Sequence, residues 1–173
     1  IDGDKIMYIL ARRLKSRGML KNDTVVATVM SNGGLDLSLG ELGVKCERTA
    51  VGDRFVYERM QSGDYSLGGE QSGHIIMKKY ATTGDGLLTA IMLTEEVLDS
   101  KKSLATLAEP VKYYPQYTKN VRVTSKSATV ADAGVQRALC AARERLSGEG
   151  RILLRESGTE PVVRIMVESK TDE

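Results

Sequence analysis

One stretch of the chain decides the predicted fold: VVATVMSNGG, residues 25–34 of 173. Its first six residues are an apolar run with the length of a buried strand. Asn32, Gly33 and Gly34 then form a turn, and the residues up to about Gly43 favour a short helix. The sequence therefore predicts a buried strand that leads directly into a helix.

The same alternation continues on both sides of this stretch. Downstream, Val44–Ala50 is predicted as a second strand, and Gly52-Asp53 opens a helix that runs to about Gln61. Other predicted elements are a helix capped by Asp4 and ended by Gly18, short strands at Tyr65–Leu67 and Ile75–Lys78, and a helix after the turn at Thr83–Gly86. Strands that alternate with helices indicate a layered α/β domain with a mostly parallel sheet.

Two of the three prolines, Pro110 and Pro115, mark a predicted domain boundary. We predict an α/β domain at residues 1–109 and a small α+β domain at residues 110–173. In the second domain the pattern predicts a strand at Asn120–Thr124, one helix with its apolar face from Ala131 to Leu146, and strands at Arg151–Leu154 and Val162–Glu168.

Composition excludes several classes of protein. Hydrophobic residues make up 41% and charged residues 28%, which is typical of a folded globular chain and not of a disordered or fibrous one. The formal net charge of +2 is too small for a general nucleic-acid or membrane-surface binder. No apolar run approaches the ~18 to 20 residues that cross a bilayer. We therefore expect neither nucleic acid nor membrane as a partner.

The cysteines and the first residues bear on the setting of the chain. Cys46 and Cys140 lie far apart in sequence and form no CxxC pair, which indicates neither a zinc site nor a disulfide framework. We expect a reduced, cytoplasmic location. Because the chain starts at Ile1 without Met or a signal-like segment, we expect it to be part of a longer protein.

The Arg155–Pro161 loop, RESGTEP, has the composition of a phosphate site. Gly158 permits a backbone in which successive N–H groups converge on an anion, and hydroxyls and an arginine add donors. Arg164 on the following strand is a second candidate ligand. The alternative is a plain hairpin turn, since turns use the same residues.

The glycine-rich loop, Gly68–His74, is the second candidate site. Its three glycines permit close approach of the backbone, while Glu70, Ser72 and His74 carry groups suited to sugar hydroxyls or to proton transfer. His74 is the only histidine, which excludes a multi-histidine metal site. The alternative is a purely structural histidine beside a strand.

The segment Asp2-Gly3-Asp4 offers two carboxylates to a divalent cation. Two carboxylates alone are weak evidence for a metal site. We favour a helix cap at Asp4.

Together these segments resemble the α-D-phosphohexomutase superfamily, and most closely its bacterial phosphoglucosamine mutase branch. The similarity rests on four stretches in family order and spacing: TVMSN at residues 28–32, VGDR at 51–54, GEQSGH at 69–74 and RESGTEP at 155–161. The resemblance implies that the chain is the third and fourth of four domains. The phosphoserine domain and the metal loop of the family are not in it.

The resemblance also implies roles for individual residues. Glu70 and Ser72 would bind sugar hydroxyls, with His74 as a possible proton partner and Arg54 on the sugar side. The non-reacting phosphate would be held by Arg155, Ser157, Gly158 and Thr159, with Arg164 as an addition. No catalytic or metal-binding residue is carried over to this chain otherwise.

The reaction that the resemblance implies belongs to the parent protein. It interconverts glucosamine 6-phosphate and glucosamine 1-phosphate through a phosphoserine, Mg²⁺ and glucosamine 1,6-bisphosphate, for cell-wall amino-sugar synthesis. This chain alone would be inactive, because it needs the missing domains of the same protein. The alternatives are a phosphomannomutase or phosphoglucomutase of the same superfamily, or a non-catalytic sugar-phosphate binding module.

Overall fold

The residues with the strongest strand pattern form the central strand of a sheet. In the computed structural model, which describes residues 1–146 and 148–170, strand β1 spans Thr24–Thr28 and all five of its residues are buried. Asn32 then caps helix α2 (Gly33–Glu41), because its side-chain oxygen accepts a hydrogen bond from the Gly34 N–H at 2.9 Å. The predicted strand-to-helix unit is confirmed.

The chain divides into two units, Ile1–Tyr113 and Tyr114–Glu173. The other helices of the first unit are α1 (Gly3–Ser16), α3 (Asp53–Ser62), α4 (Gly86–Ser100) and α5 (Leu104–Ala108). Its other strands are β2 (Lys45–Thr49), β3 (Leu67–Gly69) and β4 (Ile75–Met77).

The sheet of the first unit has the order β2-β1-β3-β4. Strand β1 is parallel to both β2 and β3, and β4 is antiparallel to β3. Helices separate the parallel strands along the chain, as crossover connections require. The predicted α/β class with a mostly parallel sheet is confirmed.

The start of α1 differs from the sequence-based expectation. Asp4 is not its cap: the cap is Asp2, whose carboxylate accepts the Lys5 N–H at 3.3 Å. Asp4 is fully buried and accepts the Asn32 N–H at 2.8 Å, which ties α1 to the segment after β1. Burial raises the pKa of Asp4, although the hydrogen bond from Asn32 opposes the rise. Both carboxylates therefore have structural partners.

An ion-pair network joins α1 to α4. The Arg13 side chain is 2% exposed, and its guanidinium contacts Glu95 at 2.9 Å, Glu96 at 3.0 Å and Asp99 at 2.9 Å. Arg12 adds a second contact to Glu96, at 3.1 Å. A buried arginine with three carboxylate partners fixes the two helices against each other.

Helix α4 packs only one of its sides against the core. Met92 and Leu93 are buried, whereas Leu87, Ile91 and Leu98 are at least half exposed. The helix has 15 residues, and within the described part of the chain no helix has both the length and the apolar character to span a membrane.

Helix α5 and the residues after it belong to the first unit. Leu107, Ala108 and Val111 are buried in its core, and the Ser38 hydroxyl donates to the Pro110 carbonyl at 3.0 Å. The change of unit therefore lies between Tyr113 and Tyr114. The sequence analysis did not predict α5, whose five residues are too few for a periodic pattern.

The second unit is a three-stranded antiparallel sheet with two helices. Its strands are β5 (Gln116–Arg122), β6 (Gly150–Glu156) and β7 (Val162–Ser169), in the order β5-β7-β6. Its helices are α6 (Lys126–Ala131) and α7 (Ala133–Arg145).

The helix predicted from Ala131 to Leu146 is confirmed as α7, whereas α6, which Asp132 separates from it, was not predicted. Asp132 has a non-helical backbone (ψ 130°), and its carboxylate accepts the Val135 N–H at 2.9 Å as the cap of α7. Ser125 caps α6 in the same way through the Ala128 N–H. A capping aspartate at the start of the apolar pattern therefore marks the beginning of α7.

Candidate functional site

The glycine-rich loop joins β3 to β4 at the carboxyl end of β3. The Glu70 N–H donates to the His74 carbonyl at 3.0 Å, and the Gly73 N–H donates to the Glu70 carbonyl at 2.9 Å. Gly73 has a φ of 100°, which residues with a side chain rarely adopt. The loop is a tight turn with a defined backbone.

A cleft of about 440 Å³ opens beside this loop. It is lined by the ends of all three parallel strands: Thr28 is the last residue of β1, Val51 follows β2, and Glu70 follows β3. Asp2 and Ser72 also line it. Open α/β sheets bind ligands at this edge, where successive crossovers leave a central strand in opposite directions.

Glu70 is fixed at the cleft by the residue that precedes α3. One carboxylate oxygen, Oε1, accepts the Gly52 N–H at 3.0 Å. Within the described residues the carboxylate receives no other hydrogen bond, so Oε2 has capacity for a ligand hydroxyl. The glycine-rich loop and the segment at Gly52 are therefore held together at the cleft.

Helix α1 supports the loop from its other side. The Gly3 N–H donates to the Gln71 carbonyl at 2.9 Å. A Cβ atom at position 3 would lie 2.0 Å from the Glu70 carbonyl oxygen, so the two backbones touch directly. The loop can approach the helix this closely only because residue 3 is glycine.

His74 lies between the first turn of α3 and the turn before α4. Its Nε2 is 3.7 Å from the Asp53 carboxylate, and both side chains are about half exposed. A Cβ atom at Gly84 would lie 2.3 Å from the imidazole Cδ2, so Gly84 leaves the space that the ring occupies. Protonated His74 would form an ion pair with Asp53.

Arg54 does not line the cleft. Its side chain is 81% exposed and contacts Glu58 one turn further along α3, at 2.7 Å. The hydrogen bond from Arg54 to Glu58 raises the pKa of Arg54. Arg54 therefore lies in the first turn of α3, and it is not among the residues that line the cleft.

A second arginine, which the sequence analysis missed, organises the cleft. Arg48 in β2 donates to the carbonyls of Thr28 and Ser31, both at 2.7 Å, and to that of Asn32 at 3.2 Å. It also pairs with Asp36. It holds the segment after β1 in place. Arg48 is a single charged residue in a predicted strand, so nothing in the sequence indicated that it binds the backbone after β1.

In the second unit, the Arg155–Pro161 loop is the hairpin between β6 and β7. The Ser157 N–H donates to the Val162 carbonyl at 3.0 Å, and the Ser157 hydroxyl accepts the Glu160 N–H at 3.2 Å. Ser157 is buried, whereas Gly158 and Thr159 are exposed at the tip. The hairpin geometry is compatible with both sequence-based alternatives, a turn and an anion site.

Three cations and the carboxylates of Glu156 and Glu160 lie at this hairpin. Arg155 and Arg164 are direct cross-strand partners, so their side chains share one face of the sheet. Burial and the charge of Arg164 lower the pKa of Arg155. Arg164 is paired with Glu160 at 2.6 Å, and Lys126 donates to the Ser157 carbonyl at 2.6 Å. The sequence analysis missed Lys126, which lies 31 positions away in sequence.

Arg155 differs from its neighbours in having no partner. Among the described residues its guanidinium has neither an ion pair nor a side-chain hydrogen bond, although it is only partly exposed. Like charges opposite each other in a sheet are destabilising. An anion bound here would relieve that repulsion and use the five N–H donors of Arg155.

Two family models match the chain. The model described as "Phosphoglucomutase/phosphomannomutase, alpha/beta/alpha domain III" matches residues 2–114, and the model described as "Phosphoglucomutase/phosphomannomutase, C-terminal domain" matches residues 119–173.

Curated relatives are similar to the chain over its full length. The phosphoglucosamine mutase of Shouchella clausii is 54% identical over 173 residues, and that of Anoxybacillus flavithermus is 53% identical. Each match covers 100% of this chain and 39% of the relative. The chain therefore spans about two fifths of the length of these relatives.

Solved structures share the fold at low sequence identity. The crystal structure of an N-acetylglucosamine-phosphate mutase in a substrate complex superposes with a TM-score of 0.79 at 20% identity, over 98% of this chain and 41% of that one. The Aspergillus fumigatus N-acetylphosphoglucosamine mutase, in complex with GlcNAc-6P and magnesium, gives a TM-score of 0.77 at 18% identity, over 98% and 40%.

Proposed function

Because the chain belongs to the phosphoglucomutase/phosphomannomutase family, we propose that it is the substrate-binding, carboxyl-terminal part of a phosphoglucosamine mutase. The parent protein interconverts glucosamine 6-phosphate and glucosamine 1-phosphate. The phosphoryl group moves between a serine outside this chain and the sugar, through glucosamine 1,6-bisphosphate. The residues described above bind and orient the phosphosugar.

The unpartnered Arg155 is the observation that carries this proposal. It is a partly buried cation opposite a second arginine, at a hairpin whose tip exposes Gly158 and Thr159 next to the buried Ser157. A phosphate dianion supplies the charge that the pair lacks, and the hydroxyls and N–H groups of the tip are donors that it accepts. Arg164 and Lys126 add positive charge to the same loop.

The cleft of the first unit supports the sugar half of the proposal. The carboxylate of Glu70 has one oxygen without a protein donor in the described residues, and Ser72 lies exposed beside it. Carboxylate and hydroxyl groups at fixed positions suit the hydroxyls of a sugar ring. His74 adds an imidazole that can donate or accept a hydrogen bond beside the same loop.

This division of labour fits the reaction. A bisphosphate intermediate must present first one phosphate and then the other to the same serine, so the phosphate that is not reacting needs a fixed binding site. Phosphoryl transfer depends mainly on positioning and on charge stabilisation. In this chain, Arg155 and the hairpin tip hold that phosphate, and Glu70 and Ser72 hold the ring.

Mg²⁺, which the family resemblance implies for the parent protein, does not fit the residues described here. They contain no group of three or more His, Cys, Asp or Glu side chains that could hold a metal ion. Asp2 caps α1 and Asp4 is bonded to Asn32, so neither carboxylate is a free ligand.

A related mutase that acts on mannose or glucose phosphates is the second candidate. The family models carry both of those names, whereas the relatives at 53–54% identity are phosphoglucosamine mutases. Rates on glucosamine, glucose and mannose phosphates, measured with the full-length enzyme, distinguish the candidates.

We expect the isolated 173-residue chain to have no mutase activity, even with Mg²⁺ and glucose 1,6-bisphosphate added. Positioning residues alone provide no phosphoryl group to transfer. The assay is conversion of glucosamine 6-phosphate, with binding of the same compound measured by calorimetry. Binding without turnover is the expected result. Turnover by a preparation free of full-length enzyme would contradict this expectation. If the full-length protein that carries this chain also binds the compound without turnover, the non-catalytic module is favoured.

Glu70→Gln in the full-length enzyme tests the sugar site. The amide oxygen still accepts the Gly52 N–H, but the NH₂ group replaces the oxygen available to sugar hydroxyls. We expect kcat/KM to fall about tenfold or more, the loss typical of a hydrogen bond to a charged group. Thermal stability and the affinity for inorganic phosphate should stay unchanged.

Glu58→Gln is the matched control, because Glu58 is an exposed carboxylate paired with Arg54. It should leave kcat/KM at the wild-type value. If Glu70→Gln instead lowers the melting temperature and weakens phosphate and sugar binding together, Glu70 is a structural residue.

A further inference from the structure

A second cavity lies at the other end of the strands in the first unit's sheet. It has a volume of about 420 Å³, and its lining includes Lys21 before β1, Tyr65 before β3, and Met77 and Lys78 at the end of β4. Since β1 and β3 are parallel, these residues lie at the amino ends of those strands, whereas Glu70 follows the carboxyl end of β3. The cavity is therefore separate from the sugar cleft.

The floor of the cavity is apolar and fixed. Leu14, Tyr65 and Met77 are all less than 10% exposed, so they belong to the packed interior. Met19 and Tyr80 are 37% and 51% exposed and form accessible apolar walls. A volume of this size, with aromatic and thioether walls, is within the range of about 300 to 1,000 Å³ that small-molecule sites occupy.

One serine holds three walls of the cavity together. The Ser66 hydroxyl donates to the Met19 carbonyl at 3.0 Å and accepts the Lys21 N–H at 3.0 Å. The Ser66 carbonyl accepts the Lys78 N–H, also at 3.0 Å. The cavity is thus formed before any ligand arrives, which lowers the entropic cost of binding.

The rim of the cavity is positively charged. Asp64 sits between Lys21 and Lys78, at 2.8 Å and 2.9 Å, and hydrogen bonds from these lysines lower the pKa of Asp64. Lys79 has no ion pair among the described residues, and its Nζ lies 5.1 Å from the Tyr80 ring centroid. Three lysines against one aspartate leave a net charge of +2 at the rim.

We propose that this cavity binds a small organic anion whose apolar body lies on Met77 and Tyr80 and whose phosphate or carboxylate meets the lysines of the rim. An apolar floor below a cationic rim matches a molecule that has both features and disfavours one that has only one of them. The proposal is independent of the proposed function, because none of the residues involved lines the sugar cleft.

The test uses 1-naphthyl phosphate as the probe, with inorganic phosphate and 1-naphthol as partial analogues. The chain contains no Trp, so naphthyl fluorescence can be followed without interference from indole. We expect saturable binding at one site and at least about tenfold weaker binding of either analogue. Saturating glucosamine 6-phosphate should not displace the probe.

Two charge variants change the affinity in opposite directions. Lys79→Gln should raise the Kd of the probe about threefold to fivefold, as expected for one exposed charge pair, and Asp64→Asn should lower it by a similar factor. Lys119→Gln on β5 removes an exposed lysine from the second unit and should leave the Kd unchanged. Raised salt should weaken binding in the wild type.

Three outcomes would overturn the proposal: equal Kd values for the probe and 1-naphthol, an unchanged Kd in Lys79→Gln, or displacement by glucosamine 6-phosphate. Asp64→Asn loses two ion pairs, so its melting temperature is measured alongside its affinity. Lys79 makes no ion pair in the described residues, so Lys79→Gln tests the proposal without that complication.

Discussion

Replacing Arg155 by alanine in a full-length mutase that carries this chain is expected to lower kcat/KM in both directions by about 10- to 150-fold. A charge-assisted, bidentate contact to phosphate contributes about 1.5 to 3 kcal/mol, and in the proposed function the same site holds whichever phosphate is not reacting. The measurement is steady-state kinetics with glucosamine 1-phosphate and with glucosamine 6-phosphate. The equilibrium constant requires kcat/KM to fall equally in both directions, so the size of the loss decides: a fall of less than about threefold would contradict a phosphate site.

Two further variants separate the contact from the charge. Arg155→Lys keeps the positive charge but loses the planar donor fork, so we expect an intermediate loss. Arg137→Ala removes an exposed arginine of α7 and should retain wild-type kinetics. The Arg155→Ala protein should also fold at least as stably as the wild type, because it loses the repulsion from Arg164. If Arg155→Ala keeps wild-type kinetics, the Arg155–Pro161 loop is a plain turn and not a phosphate site.

Arg13→Ala is expected to destabilise the first unit by about 3 to 5 kcal/mol, the usual effect of removing one partner of a buried ion pair. The variant leaves Glu96 buried with only Arg12 as a cationic partner. Urea unfolding, combined with hydrogen exchange to assign each transition to a unit, measures the effect. We expect the second unit to be unaffected.

Arg17→Ala is the matched control, because Arg17 contacts Asp99 from an exposed position, with 47% of its side chain accessible. It should cost less than about 1 kcal/mol. A similar loss in both variants would contradict the special role of burial.

The same network also predicts a pH dependence. Hydrogen bonding to Arg13 lowers the pKa of Asp99 below its ordinary value of 3.8. A carboxyl group with a lowered pKa stabilises the folded state above its unfolded pKa, and this contribution is lost as the pH falls through the folded value. The stability difference between wild type and Arg13→Ala should therefore narrow below pH 3.8.

Local pattern was sufficient for most of the fold. Residues 25–30 are almost all apolar, which predicts a buried strand. Asn32, which follows, is a residue type that caps helices well, so the strand-to-helix unit could be predicted. Asp2 and Asp4 show the limit. Both are aspartates and are equally suited to cap a helix. Only the hydrogen bond that Asp4 accepts from Asn32 leaves Asp2 as the cap of α1.

The candidate site was predictable only in part, for a related reason. Glycine-rich and hydroxyl-rich loops have recognisable compositions, so both loops could be identified. The contacts of Arg48, Lys126 and Arg13 join residues that are 12 to 86 positions apart, and each appears in the sequence as an ordinary charged residue. For Arg54 the motif predicted a role that the structure does not support: its side chain is exposed and contacts Glu58 instead of lining the cleft.

The direct contact between Gly3 and the glycine-rich loop has a mechanical consequence. Helix α1 has 14 residues and is therefore a rod about 20 Å long. Its first residue touches the loop that carries Glu70, and a later turn carries Arg13, which is clamped to α4. Because the two backbones touch with no side chain between them, we expect a shift of α1 along its axis to move the loop as well. On this expectation, the ion pairs of Arg13 with α4 help to fix the position of Glu70.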